Sequence, residues 1–152
     1  MSLRAWTDEE LLSAPLRFVH ARAARFQDVD AAGIVFYPRI VEYFHDAYVE
    51  LLSAGGCALD QVLAEKAWIA PIRDVQARFL KPIRFGDRLE VAVVRAALEG
   101  SELRVGYRVQ SAVEKAAMAI GQTSHVFVNP ATGKRIDAPE LIRAAFTAFP
   151  GA

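Results

Sequence analysis

Asp28-Val29-Asp30-Ala31-Ala32-Gly33-Ile34-Val35-Phe36-Tyr37-Pro38 sets two carboxylates in a short glycine-containing turn, directly ahead of a proline and a long apolar periodicity. Pro38 suits the first position of a helix, where its missing N–H removes no intrahelical bond. Beyond it Ile40, Val41, Phe44, Ala47, Tyr48, Leu51 and Leu52 recur at three-to-four-residue spacing, which predicts a helix from about Pro38 to Ser53 with one apolar face. No Ser, Thr, Asp or Asn stands immediately before Pro38, so side-chain capping is not evident and first-turn N–H groups are free for a ligand oxygen. A reacting carbonyl can use such donors beside a carboxylate.

The helix pattern breaks at Ser53-Ala54-Gly55-Gly56, and a shorter helical piece from Leu59 to Lys66 precedes an extended region beginning near Trp68. From Leu103 to Val109, Leu103, Val105, Tyr107 and Val109 alternate with Arg104, Gly106 and Arg108, the period-two pattern of a sheet with one wet face. Leu89, Val91 and Val93 alternate in the same way across Glu90 and Ala92. Glu99-Gly100-Ser101 supplies a turn between the two runs, so they read as an antiparallel hairpin. Ala116 to Val128 continues the β pattern up to the turn at Asn129-Pro130-Ala131-Thr132-Gly133, and Leu16 to Phe26 reads as a first strand. Glu140 to Phe149 reads as a short closing helix. One long helix among about five strands predicts an α+β fold in which an antiparallel sheet wraps the helix.

At 152 residues and 53% hydrophobic content the chain suits one domain, residues 1–152, with one core. Lys plus Arg and Asp plus Glu number 18 each, which gives no electrostatic case for nucleic acid or an anionic membrane as partner. Cys57 is the only cysteine, so no internal disulfide can form, and no CxxC pair or Cys/His cluster suggests a metal site. The first ten residues carry Asp8, Glu9 and Glu10 where a secretory signal needs an apolar run. No stretch is long enough to span a bilayer, and a cytoplasmic setting is expected.

The Asp28–Pro38 stretch resembles the 4-hydroxybenzoyl-CoA thioesterase family, whose motif reads roughly Asp-x-Asp-x-x-Gly-x-Val-x-Tyr/His and runs into a long helix. Asp28, Asp30, Gly33, Val35 and Tyr37 match it, with Phe36 and Pro38 also as expected. Phe79-Leu80-Lys81-Pro82-Ile83-Arg84-Phe85-Gly86-Asp87-Arg88-Leu89 looks like the strand, proline bend, Gly-Asp turn and strand common in the wider hotdog superfamily, so the likeness runs from about Leu16 to Asn129. Ala31 stands where the family often has Pro, which stiffens the turn less. Tyr37, in place of the His of one large branch, points toward the aryl-CoA-like branch.

The resemblance implies a hotdog fold and an acyl-CoA thioesterase that releases a free acid and CoA, with an aryl group such as 4-hydroxybenzoyl preferred. It implies Asp30 as nucleophile or general base, the Tyr37 backbone N–H as oxyanion donor, and Gly33 as the point where the loop passes close to substrate. Asp46 is the reserve acid, because family members often carry one there. Val35 and Phe36 of the motif, together with Lys81 and Arg84, are the remaining candidates for substrate contact. The family builds its sites between subunits, so a homodimer or a homotetramer made as a dimer of dimers is expected. No cofactor is expected, CoA being part of the substrate.

Each candidate also has a plainer reading. Asp30 taken alone reads as an acceptor for turn amides, Asp28 as a structural turn residue and Gly33 as a turn needing positive φ. His20, His45 and His125 are scattered and no Gly-x-Ser-x-Gly elbow exists, which sets aside a Ser/His/Asp triad. Glu42, Asp46 and Glu50 share a helical stripe that also suits a polar or interface face. The CoA phosphates call for basic residues, and Lys81, Arg84, Arg88, Arg104, Lys134 and Arg135 are available, each readable equally as a solvated charge. Trp68, Phe79 and Phe85 fit an acyl pocket or the core. Two competing functions stand beside hydrolysis: a hotdog hydratase or dehydratase, and a non-catalytic acyl-CoA or acyl-carrier-protein binding module.

Overall fold

The computed structural model describes residues 2–150. The chain runs α1 (Asp8–Ser13), β1 (Phe18–Ala23), a single 3₁₀ turn (Phe26–Asp28), α2 (Tyr37–Ala54), α3 (Leu59–Glu65), β2 (Ile72–Phe79), β3 (Arg88–Glu99), β4 (Glu102–Ser111), β5 (Ala117–Val126) and α4 (Glu140–Thr147). All strand pairings are antiparallel and the sheet order is β1-β3-β4-β5-β2. This five-stranded sheet around one long helix is the α+β hotdog architecture expected from the sequence, and the hairpin from Leu89 to Val109 forms with Glu99 facing Glu102 across its turn.

α2 buries Ile40, Tyr43, Phe44, Ala47, Tyr48, Leu51 and Leu52, a stripe that keeps the three-to-four period through four turns. Tyr43, not Val41, completes the buried face. Against it stand Leu89, Val91 and Val93 of β3 and Leu103, Val105, Tyr107 and Val109 of β4. The helix packs tightly on Gly121 of β5: a methyl group there would collide with the Phe44 ring and with the Gln76 carbonyl of β2. Phe44 in turn stacks on Tyr107, with ring centroids 4.9 Å apart. The helix is therefore seated by shape, and its start is fixed in space by the packing of its middle.

The opposite face of the sheet is not wet, as the alternation in β4 suggests, because α1 covers its centre. Leu11 and Ala14 pack on Ala92, Val94 and Ile120, with Trp6 and Leu16 alongside. Arg104 is only 6% exposed. α1 owes its existence to a capping box: Thr7 Oγ1 accepts from the Glu10 N–H (3.2 Å) and the Glu10 carboxylate accepts from the Thr7 N–H (2.8 Å). Arg108 then donates to the carbonyls of Leu11, Leu12 and Ala14 at 2.8–3.0 Å, satisfying the orphan acceptors at the helix end.

Gly121→Ala tests the seating of α2. Overpacking against Phe44 and the Gln76 carbonyl is expected to cost about 1–3 kcal/mol, read as a shift of the urea midpoint without change in m-value.

Candidate active site

The loop between the 3₁₀ turn and α2 is pinned at its base by main-chain bonds. The Phe36 N–H donates to the Asp28 carbonyl (2.8 Å), the Asp30 N–H to the Ile34 carbonyl (2.9 Å), and the Val35 N–H to the Ile83 carbonyl (2.7 Å). Gly33 sits at the tip with φ of +77°, a left-handed conformation that glycine adopts without strain, and nothing lies within 4 Å of where its side chain would be. Its turn role is thus explicit.

Asp30 follows Asp28 by two residues and lies in a different environment. Its side chain is exposed; Oδ1 accepts from the Ala32 N–H (2.8 Å) and weakly from the Ile34 N–H (3.4 Å). One oxygen anchors the rotamer, and Oδ2 has no protein partner among the described residues. Asp30 lines a cleft of about 400 Å³ whose walls include Val35, Phe36, Tyr37, Ile40, Phe79 and Leu80. Lys81 is the other charged residue on that lining. Volume and composition fall in the range of small-molecule sites, with apolar walls and few polar groups.

α2 begins at Tyr37 with Phe36 as N-cap and no side-chain capping bond. The Tyr37 N–H has no hydrogen-bond acceptor among the described residues, and Pro38 has no N–H to leave unpaired. Tyr37 itself is 62% exposed, and its ring lies between Phe36 (5.2 Å) and Phe79 (6.2 Å). Phe79 is half exposed in the cleft wall, so it is not a core residue, whereas Trp68 is buried and packs edge-on to Phe127. The cleft thus combines an exposed carboxylate, an unpaired amide at a positive helix end and a wall of aromatic rings.

Asp28 is fully buried. Its carboxylate accepts from the backbone N–H, Nε and a terminal nitrogen of Arg25 (3.2, 3.2 and 3.0 Å) and from the Tyr43 hydroxyl (2.7 Å). Arg22 and Arg39 approach within 3.6 and 3.7 Å. Burial alone would raise its pKa, but the bonds from Arg25 and Tyr43 outweigh that and hold it at about 2. Burial, then the bond to this carboxylate, pushes the Tyr43 phenol up.

The other candidates fall outside the cleft. Asp46 pairs with Arg22 at 2.7 Å. Arg84 is exposed, and its main chain bridges to Ile34 and donates to the Asp87 side chain at 2.9 Å. His45 and His125 line a separate apolar cavity of about 160 Å³ with Tyr48 and Trp68, where burial keeps His125 down at about 4. None of the three histidines lines the cleft with Asp30. No group of three or more His, Cys, Asp or Glu residues among the described residues is arranged to hold a metal ion.

Residues 24–146 match the thioesterase-like superfamily. A 1,4-dihydroxy-2-naphthoyl-CoA hydrolase from Thermosynechococcus vestitus is 32% identical over 136 residues, covering 90% of this chain and 92% of that protein. A hydrolase of the same name from Rippkaea orientalis is 30% identical, covering 81% of this chain and 90% of the relative. Among solved structures, a 1,4-dihydroxy-2-naphthoyl-CoA thioesterase from Synechocystis superposes with a TM-score of 0.81 at 24% identity, covering 86% of this chain and 95% of that one. The last likeness concerns the fold.

The Asp28 carboxyl carries a pH prediction. Its folded value, about 2, lies below the ordinary 3.8, so the stability it contributes is present above pH 4 and is lost as pH falls through 2. In urea titrations between pH 4 and pH 2, the wild type is expected to lose stability more steeply than Asp28→Asn, which has no such proton to take up.

Proposed function

The chain belongs to the thioesterase-like superfamily, and we propose that it hydrolyses an aryl-CoA thioester in the cleft beside Asp30, releasing an aromatic acid and CoA. The observation that carries this reading is the juxtaposition of Asp30, the unpaired Tyr37 N–H and the aromatic wall formed by Phe36, Tyr37 and Phe79 in one cleft. The acyl ring lies against that wall, with Val35 and Ile40 at its base. The carbonyl oxygen accepts the Tyr37 N–H, where negative charge developing in the tetrahedral intermediate meets the helix end. Losing such a donor typically costs a few kcal/mol of transition-state stabilisation.

Asp30 supplies the other half of the reaction. As nucleophile its free oxygen forms a mixed anhydride with the acyl carbon, the CoA thiolate leaves, and water then cleaves the anhydride. As general base it takes a proton from the attacking water, and the thiolate leaves from the intermediate. Both routes need one oxygen pinned and one presented, the arrangement seen at Asp30. No cofactor beyond the substrate's own CoA takes part. Lys81 at the rim is the candidate partner for the CoA phosphates, with Arg84 further out.

The relatives named as naphthoyl-CoA hydrolases favour a hydroxylated bicyclic acyl group over the single ring of 4-hydroxybenzoyl-CoA, and both belong in a substrate panel. The working unit is a homodimer or a dimer of dimers. β2 is an edge strand with an open main-chain rim and half-exposed Ile72, Val75 and Phe79, the kind of edge that a second copy covers. No helix among the described residues is long and apolar enough to cross a membrane, and a cytoplasmic setting completes the reading.

Thiol release from a panel of aryl- and alkyl-CoA thioesters tests the proposal. Turnover is expected with aryl-CoA, and Asp30→Asn is expected to lower kcat by about 10²-fold or more while leaving the fold intact. Tight aryl-CoA binding without turnover by the wild type would favour a binding module and contradict hydrolysis.

A further inference from the structure

We propose that Asp28 is a positioning residue for thioester hydrolysis: through one buried carboxylate and one carbonyl it sets where both Asp30 and the Tyr37 N–H stand. This rests on the reading of Asp30 as the reacting carboxylate. Asp28 touches neither cleft nor substrate, since its side chain is fully buried and absent from the cleft lining.

Ahead of the loop, Arg25 grips the Asp28 carboxylate three times. Beyond the loop, the same carboxylate holds α2 in its first turn through Arg39 (3.7 Å) and in its second through the Tyr43 hydroxyl (2.7 Å). Arg39 also reaches the Gln27 carbonyl at 3.4 Å. From β1, Arg22 lays its guanidinium over the Tyr43 ring at 3.8 Å and pairs with Asp28 and Asp46 at once. One carboxylate thus joins β1, the 3₁₀ turn and the start of α2.

Its main chain supplies the second link. The Asp28 carbonyl takes the Phe36 N–H, one residue before the oxyanion donor, and Asp30 lies two residues after Asp28. Asp30 to Ala32 are exposed, so among the described residues of one chain the tip is held from its base. The separation between the Asp30 carboxyl and the Tyr37 amide is therefore set at the loop's base. A misplacement of about 1 Å between reacting groups can cost on the order of 10²-fold in rate. The charges bear on the same point: with Asp28 neutral, among the described residues Arg22 keeps Asp46 and Arg39 keeps Glu42 as close counter-charges, both on the exposed side of α2, and Arg25 keeps none.

The test is a double-mutant cycle on hydrolysis of 4-hydroxybenzoyl-CoA or whichever panel thioester is turned over fastest. Asp28→Asn and Tyr43→Phe are each made in the wild type and in the Asp30→Asn background, with folding checked by circular dichroism. Asp28→Asn is expected to lower kcat at least tenfold with KM within threefold, and Tyr43→Phe to lower it severalfold. In the Asp30→Asn background both effects are expected to shrink severalfold, because there is no longer a carboxylate to place and only the Tyr37 N–H is left to misplace. A folded Asp28→Asn protein with wild-type kcat would overturn the proposal, and so would equal losses in the two backgrounds. If Asp28→Asn does not fold, the Tyr43→Phe cycle decides on the same criteria. An Asp30→Asn protein with wild-type rate would instead sink the reading of Asp30 itself.

Discussion

The site depends on a helix that begins without a cap. Phe36 occupies the position where Ser, Thr, Asp or Asn would ordinarily accept a first-turn N–H, and Pro38 removes one further donor from the same turn. What is left is the Tyr37 amide, without a protein acceptor among the described residues, at the positive end of an eighteen-residue helix. A first-turn amide has no intrahelical acceptor, and beyond it α2 is immobilised. Its long buried stripe is seated against β3, β4 and Gly121, so the helix cannot shift or unwind to satisfy its own first turn.

Two carboxylates separated by one residue have been given opposite surroundings. Asp28 is sealed among guanidinium groups and a phenol, held ionised at about 2 and unavailable for chemistry. Asp30 is exposed to the cleft, with one oxygen occupied by turn amides and the other open. Environment and not residue type distinguishes the roles, as it does wherever neighbouring acids do different work. The turn-amide reading of Asp30 and the proposed catalytic one are compatible, since the bonds to Oδ1 fix the side chain and leave Oδ2 open.

The elements legible in the sequence were those whose pattern is local. The stripe of α2, the alternation through Leu89–Val93 and Leu103–Val109, and the Glu99-Gly100-Ser101 turn each fall within about twenty residues, where periodicity speaks for itself. The motif from Asp28 to Tyr37 marked the loop, and the structure sets Asp30, Val35, Phe36, Tyr37 and Lys81 around one cleft. Other features depend on contacts far along the chain. α1 covers a sheet face that the alternation in β4 made look wet, although Thr7-x-x-Glu10 carried its capping signature. Asp46 shows the same limit, because its partner Arg22 lies on β1, twenty-four residues earlier. Phe79 could be told apart from a core residue only once β2 was known to be an edge strand.

The most direct measurement is a crystal structure with a non-hydrolysable aryl-CoA analogue in which a methylene replaces the thioester sulfur. The account expects the aryl ring against Phe36, Tyr37 and Phe79, the ketone oxygen within about 3 Å of the Tyr37 nitrogen, and the free oxygen of Asp30 facing the carbonyl carbon directly or through one water. An analogue bound with its carbonyl turned away from the start of α2, or seated in a cavity that Asp30 does not reach, would contradict it.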